Sequence, residues 1–250
     1  METILRRERL IVGGCLAAMV LVAWSYLLHS KATMADMDMP GMVMPWGPMS
    51  VLLLFVMWAV MMVAMMVPSA APMILGFLNV NHRRQATVRP LVPVGVFLFG
   101  YLAVWTGFSA VATLAQWGLH KAALLSPAMA ATSPVLNGGL LLAAGVFQWT
   151  PLKRACLKGC RSPLSFLMSE WRDGTAGAFV MGLRHGSYCL GCCWILMALL
   201  FVAGVMDLLW VAAIALFVMA EKILKRGELF GHVTGVALVA AGVALMVRHW

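Results

Sequence analysis

Charge is what this sequence has least of. Only 11% of its 250 residues are charged, and the acidic ones number nine. Soluble domains carry about 25% charged residues, so a chain this poor in charge cannot cover a globular surface facing water. A soluble enzyme and a disordered regulator are excluded on that ground. Cysteine is scarce too, with six residues, too few for a secreted disulfide scaffold and clustered in a way that suits metal or redox chemistry. Paired carboxylates, a nucleophile–base pair, a glycine-rich phosphate loop and an ATPase signature are all missing, and with them the usual marks of hydrolytic or phosphoryl-transfer catalysis. The chain shows no internal repeat and no long low-complexity tract.

Apolar residues fill the space, at 63% of the chain with a mean hydropathy of +0.93. Runs of ~17–25 apolar residues cross the hydrocarbon core as helices. About seven are present, near 10–28, 50–67, 91–117, 135–150, 187–206, 208–223 and 231–247. The fourth and sixth are short, so six crossings also fit. The pattern predicts an all-α, polytopic transmembrane bundle forming one integral membrane domain over residues 1–250. Pro68, Pro72, Pro90, Pro93, Pro134 and Pro151 are expected at span boundaries.

Net charge is +9, and position explains it. Arg6, Arg7 and Arg9 precede the first span. Arg83, Arg84 and Arg89 follow the second, Lys153, Arg154, Lys158, Arg161 and Arg172 the fourth, and Lys222, Lys225 and Arg226 the sixth. These are 14 of the 18 basic residues, and they fall on alternate loops. The positive-inside rule then places the N-terminus in the cytoplasm and, with seven spans, the C-terminus outside. The same bias removes the need for a nucleic-acid partner. No small-residue cleavage site follows the first span, which therefore reads as an anchor.

Methionine is in excess, with 21 residues, twelve of them between Met34 and Met73. The outer loop, about 29–49, holds Met37/Met39 and Met42/Met44. In an extended chain each M-x-M pair points both sulfurs to one side. Thioethers select Cu(I) and need no deprotonation; the alternative is a flexible apolar filler lying on the bilayer. The second span continues the pattern: Trp58, Met61, Met62, Met65, Met66 and Ser69 share one helical face. Packing alone would also produce such a stripe.

The densest chemistry is Gly182–Trp194. On a helix, Met181, His185, Cys189 and Cys192 fall within about 80° of each other, with Cys193 about 100° beyond Cys192. Thiolate plus imidazole suits Cu(I) or, less well here, zinc. A redox-active Cys-x-x-Cys and plain packing are the competing readings. Cys156 and Cys160 form C-x-x-x-C in the basic inner loop, about 151–173, one helical face suited to a two-coordinate soft ion. Glu221 ends an apolar run with no other acid near it, which allows a role beside the cysteines. Lys222 reads as a snorkelling anchor and Asp207 as a helix cap.

On Trp58–Pro72, Lys153–Trp171, Gly182–Trp194 and Met206–Lys222 the chain resembles a family of bacterial predicted metal-binding integral membrane proteins, a domain of unknown function with an H-G-x-Y-C-L-G-C-C-W signature. The resemblance implies shared architecture, a bacterial inner-membrane location and His185, Cys189, Cys192 and Cys193 as the signature; it implies no enzyme chemistry. The methionine ligands also resemble those of eukaryotic high-affinity copper transporters, from which this chain departs in span count and in its cysteines. Ligand softness rises inward, from Met loop to Met stripe to His/Cys cluster and Cys pair. The expected function is capture and relay, or delivery, of Cu(I) among lipid and a metal-donor or metal-acceptor protein. A membrane thiol–disulfide oxidoreductase and a copper-dependent oxidoreductase are the alternatives.

Overall fold

The computed structural model describes residues 2–36, 47–84, 91–126, 129–224 and 226–248. Met37, Met39, Met42 and Met44, with Arg89, Pro90 and Lys225, lie outside the described residues. The described elements are helices: α1 (Glu2–Asp36), α2 (Pro48–Arg84), α3 (Leu91–Lys121), α4 (Pro134–Phe147), α5 (Pro151–Arg161), α6 (Pro163–Ser169), α7 (Gly174–Ala198), α8 (Leu200–Ala203), α9 (Leu208–Ile223) and α10 (Gly227–Val247). One isolated bridge joins Leu125 and Ala131.

Five helical stretches are long and apolar enough to cross a membrane: Leu5–Thr33, Pro48–Arg84, Leu91–Lys121, Gly174–Ala203 and Gly227–Val247. They take up five of the seven expected spans. The other two are shorter than the pattern implied. The 14 residues of α4 reach only about 21 Å at 1.5 Å per residue, against a core of about 30 Å. Counted with α5, from which it is bent by 64°, α4 raises the total to six. The 16 residues of α9 likewise end early. The bend has a local cause. Pro134 and Pro151 each occupy a first helical turn, and Ser133 and Thr150 cap those helices by accepting from the backbone N–H groups of Leu136 and Lys153, each at 3.3 Å. Asp207 caps α9 as expected, accepting from Leu209 N at 3.1 Å.

Three boundary expectations are corrected. Pro68 and Pro72 lie inside α2, which runs on to Arg84; apolar helices packed among neighbours tolerate interior proline. The expected outer loop begins later, because α1 continues to Asp36. The expected inner loop is largely helical, as α5 and α6.

Polarity is turned outside-in. Leu21 and Val22 on α1 and Val233 and Val236 on α10 are exposed, whereas Ser109, Gln116, Lys153, His185, Glu221 and Lys222 are buried. Such outer faces suit lipid, which makes the fold compatible with a membrane protein. The tightest helix contact is α3 against α7. A Cβ on Gly182 would fall on the carbonyl of Phe97 and 3.1 Å from Tyr101 N, and one on Gly100 would come 3.0 Å from Leu183 N. Small residues let backbones approach this closely. The pair α4 and α10 repeats the device: a Cβ on Gly145 would lie 2.7 Å from the carbonyl oxygen of Gly235.

Gly182→Ala therefore forces α3 and α7 apart, at a cost of about 1–3 kcal/mol or more. Gly13→Ala, with nothing within 4 Å, leaves stability unchanged. Thermal unfolding of the two variants in detergent checks this; equal stability would show that the contact is not limiting.

Candidate metal centre

Four helices converge on the sulfur of Cys189. The side chain comes from the buried face of α7. From α9, Lys222 Nζ donates to Cys189 Sγ and to Ser69 Oγ on α2, both at 2.9 Å. From α3, Tyr101 Oη lies 3.2 Å from Cys189 Sγ and donates to the carbonyl of Met66 on α2, also at 3.2 Å. Lys222 and Tyr101 join α9 and α3 to α7 and tie both to α2, so the sulfur sits at a crossing point rather than on a lipid-facing surface.

A second layer consists of thiols. Cys160 of α5 lies beside Cys189 and Cys192, and Cys193 beside the same two. Cys192 and Cys193 also donate to the carbonyl of Cys189, at 3.1 and 2.9 Å. Residues three and four positions on reach back along a helix in this way. All four thiols are buried. Cys156, one turn before Cys160, is half-buried. Its sulfur lies against Gly191, the residue before Cys192, where a Cβ would come within 2.6 Å.

The expected ligand set is rearranged. His185 sits in an aromatic box whose Tyr101 also reaches Cys189. Its ring stacks on Tyr101 and Phe97, with centroids 5.6 and 6.1 Å away, and meets Phe166 edge-on at 5.6 Å. Its Nδ1 is buried without a hydrogen-bond partner. Cys160, from α5, joins Cys189 and Cys192, a pairing that helical period on α7 alone does not give. Met181 is occupied elsewhere, accepting from the backbone N–H of Arg172 at 3.3 Å. Among the described residues no three His, Cys, Asp or Glu side chains are disposed to hold an ion together; the thiols of α7 bond to Lys222, to Tyr101 and to the carbonyl of Cys189. Met61, Met62, Met65 and Met66 are buried in the same apolar core as the cysteines.

Glu221 and Lys222 have exchanged their expected parts. Both carboxylate oxygens of Glu221 accept from Lys153 Nζ of α5, at 2.7 and 2.8 Å. Lys153 also donates to Gln148 Oε1, just beyond α4. Glu221 therefore faces α4 and α5, and Lys222 faces the cysteines, because neighbouring residues on a helix point about 100° apart. Lys222 has no carboxylate within ion-pair distance among the described residues. Neither Lys222 nor Tyr101 was singled out as a site residue from the sequence. Each is a polar group within an apolar run, and that was the signal available.

A family model described as PpoB2, copper chaperone, matches residues 55–245, most of the chain, and the chain belongs to that family. Every thiol, thioether and polar contact described above falls within the matched residues. No curated protein matches the chain, nor does any solved structure.

The pair of Lys153 and Glu221 is nearly inaccessible, with side-chain exposures of 3% and 2%. Removing one partner strands a buried charge, at about 3–5 kcal/mol, whereas replacing both by apolar groups is close to neutral. Lys153→Met should therefore unfold at lower temperature than Lys153→Met combined with Glu221→Leu. A double variant no more stable than the single would show that the pair is not coupled.

Proposed function

We propose that this protein is a copper chaperone of the bacterial inner membrane that holds Cu(I) as cargo on the buried thiols of Cys160, Cys189, Cys192 and Cys193. The observation that carries the reading is the placement of Cys160, from α5, beside Cys189 and Cys192 of α7, with Cys193 next to the same two. Two helices thus contribute soft donors to one point. Cu(I) accepts two or three such donors. Zinc favours a closed tetrahedral set of thiolate and imidazole, and His185 lies in its aromatic box instead.

The hydrogen-bonded thiols are the metal-free form of that site. Binding replaces their protons with the ion, as thiolate coordination requires. The charges then balance. Two thiolates and one Cu(I) carry a single negative charge, and the ammonium of Lys222, already 2.9 Å from Cys189 Sγ, offsets it in a region of low dielectric. Tyr101 and Ser69 hold the same corner.

The remaining ligands supply a route. With the N-terminus in the cytoplasm, as the basic residues require, the Met37/Met39 and Met42/Met44 pairs lie outside and capture the ion. Met61, Met62, Met65 and Met66 on α2 lead inward to Met66 and Ser69, which touch Tyr101 and Lys222. Thioether followed by thiolate makes an ascending order of affinity, so no energy source is needed to draw Cu(I) to the thiols. Delivery then depends on a protein acceptor with thiolates of its own. Glu221, committed to Lys153, supports the helix that presents Cys160 and is no ligand.

Chelator competition on the purified protein should show Cu(I) bound far more tightly than Zn(II). Cys189→Ser should abolish tight Cu(I) binding. Lys222→Met, which keeps every ligand and removes the counter-charge, should weaken it by about 10–100-fold. Replacing Met37, Met39, Met42 and Met44 together by Leu should lower copper acquisition at limiting copper and leave the bound stoichiometry unchanged. Preference for Zn(II), or a Cys189→Ser variant that binds Cu(I) as the wild type does, would refute the reading.

A further inference from the structure

A buried site keeps its cargo well and releases it badly. Cu(I) moves between thiolates by associative exchange, in which an incoming sulfur binds before an outgoing one leaves. The acceptor therefore needs a donor that touches both the site and the outside. Cys160, Cys189, Cys192 and Cys193 are all buried, and Lys222 and Tyr101 cover the sulfur of Cys189 further.

Cys156 has the missing property. It is half-buried, at the edge of the face that α5 turns inward. It lies about 40° around the helix from Cys160 and beside Leu152, which is exposed. Its sulfur rests on α7 at Gly191, the residue before Cys192, where any larger side chain would meet it. Cys160, one turn on, is buried against the cluster, whereas Cys156 is not. On one side it borders a ligand, and on the other it is open.

We infer that Cys156 is the exit ligand of this site: the thiol through which Cu(I) leaves Cys192 for a thiolate of an acceptor protein. The inference rests on the copper reading above. Cys156 gives up its proton as its sulfur binds Cu(I); a Cu–S bond to one buried cysteine breaks, and that thiolate takes up a proton. An acceptor thiolate then binds the same ion as the Cu–S bond to the other buried cysteine breaks, a second acceptor thiolate displaces Cys156, and both released thiolates take up protons. Copper stays Cu(I) throughout, and no electron is exchanged. The partner this fits presents one or two reduced thiols on its surface, near the end of α5 where Arg154 and Lys158 are also exposed.

The test separates holding from handing over. The full-length protein, purified in detergent and loaded anaerobically with Cu(I), is mixed with a reduced Cys-x-x-Cys peptide, and transfer is followed by stopped flow. The wild type should transfer in a fast phase. Cys156→Ser and Cys156→Ala should keep the wild-type Cu(I) affinity and lose that phase, while Cys15→Ser, at an exposed cysteine remote from the cluster, should keep it. In the metal-free protein a charged, water-soluble maleimide should label Cys156 and spare the four buried cysteines. Transfer by both Cys156 variants at the wild-type rate would overturn the exit role and leave the copper reading standing, as would a Cys156 that faces lipid and resists the maleimide. A wild type that retains no Cu(I) would bring down both.

Discussion

An ammonium taken out of water must be answered by donors and charge close at hand, and much of this structure follows from how Lys222 is answered. Its nitrogen reaches Ser69 on α2 and Cys189 on α7. Those two bonds fix the end of α9 between two long helices. They also fix which way α9 is rotated, since Glu221, one residue earlier, must then face another quarter. It faces Lys153, and that second buried charge draws α5 into place. Cys160, two turns beyond Lys153 on the same buried face of α5, is thereby set against Cys189 and Cys192. One desolvated charge thus determines the arrangement of the thiols, by way of its neighbour in sequence.

The glycines make this arrangement sterically possible. Lys153, Gln148 and Glu221 meet beside α10, where Gly231 leaves room for the carboxylate and Gly235 for Gln148. Tyr101 reaches Cys189 only because Gly182 and Gly100 let α3 lie backbone to backbone on α7. Buried polar networks are stabilising when fully satisfied and costly when partly so. This one is largely satisfied around Lys222 and Lys153. It has loose ends at Gln148 Nε2 and His185 Nδ1, and the second of these is the group from which the sequence promised a ligand.

The helical class and five of the long apolar helices were legible because hydrophobic runs report burial in lipid directly. The face shared by Trp58, Met61, Met62, Met65, Met66 and Ser69 was legible for a related reason: it follows from helical period, and all six are buried. What period could not give was partnership between helices. His185 and Cys189 share a face of α7, yet that face is broad enough for one to enter an aromatic box and the other a polar crossing. Cys160 carried no mark distinguishing it from Cys156 until α5 was docked. Pro68 and Pro72 suggested a boundary because proline breaks helices in water, where a freed carbonyl is readily hydrated; packed among other helices, α2 continues through both. Lys222 at the end of a span looked like an anchor because most such lysines snorkel, and only the short length of α9 turns this one inward.

Softness and charge together explain why such a site would suit a carrier better than a catalyst. Thiolate donors make Cu(I) thermodynamically secure, and the ammonium beside them removes the cost of a net negative charge in an apolar surround. Nothing in that combination requires a substrate cavity, and the contacts around Cys189 are filled by side chains from four helices. A carrier must also let go, and burial works against release for the same reason that it favours retention. The structure places its one half-buried thiol of α5 where that conflict is sharpest, between the buried cysteines and the outer face of the helix. On the proposed reading, retention and release fall to residues a single turn apart, Cys160 within the cluster and Cys156 at its edge. A spacing of four residues puts the two sulfurs about 40° apart on one short helix, on adjoining sides of the same contact.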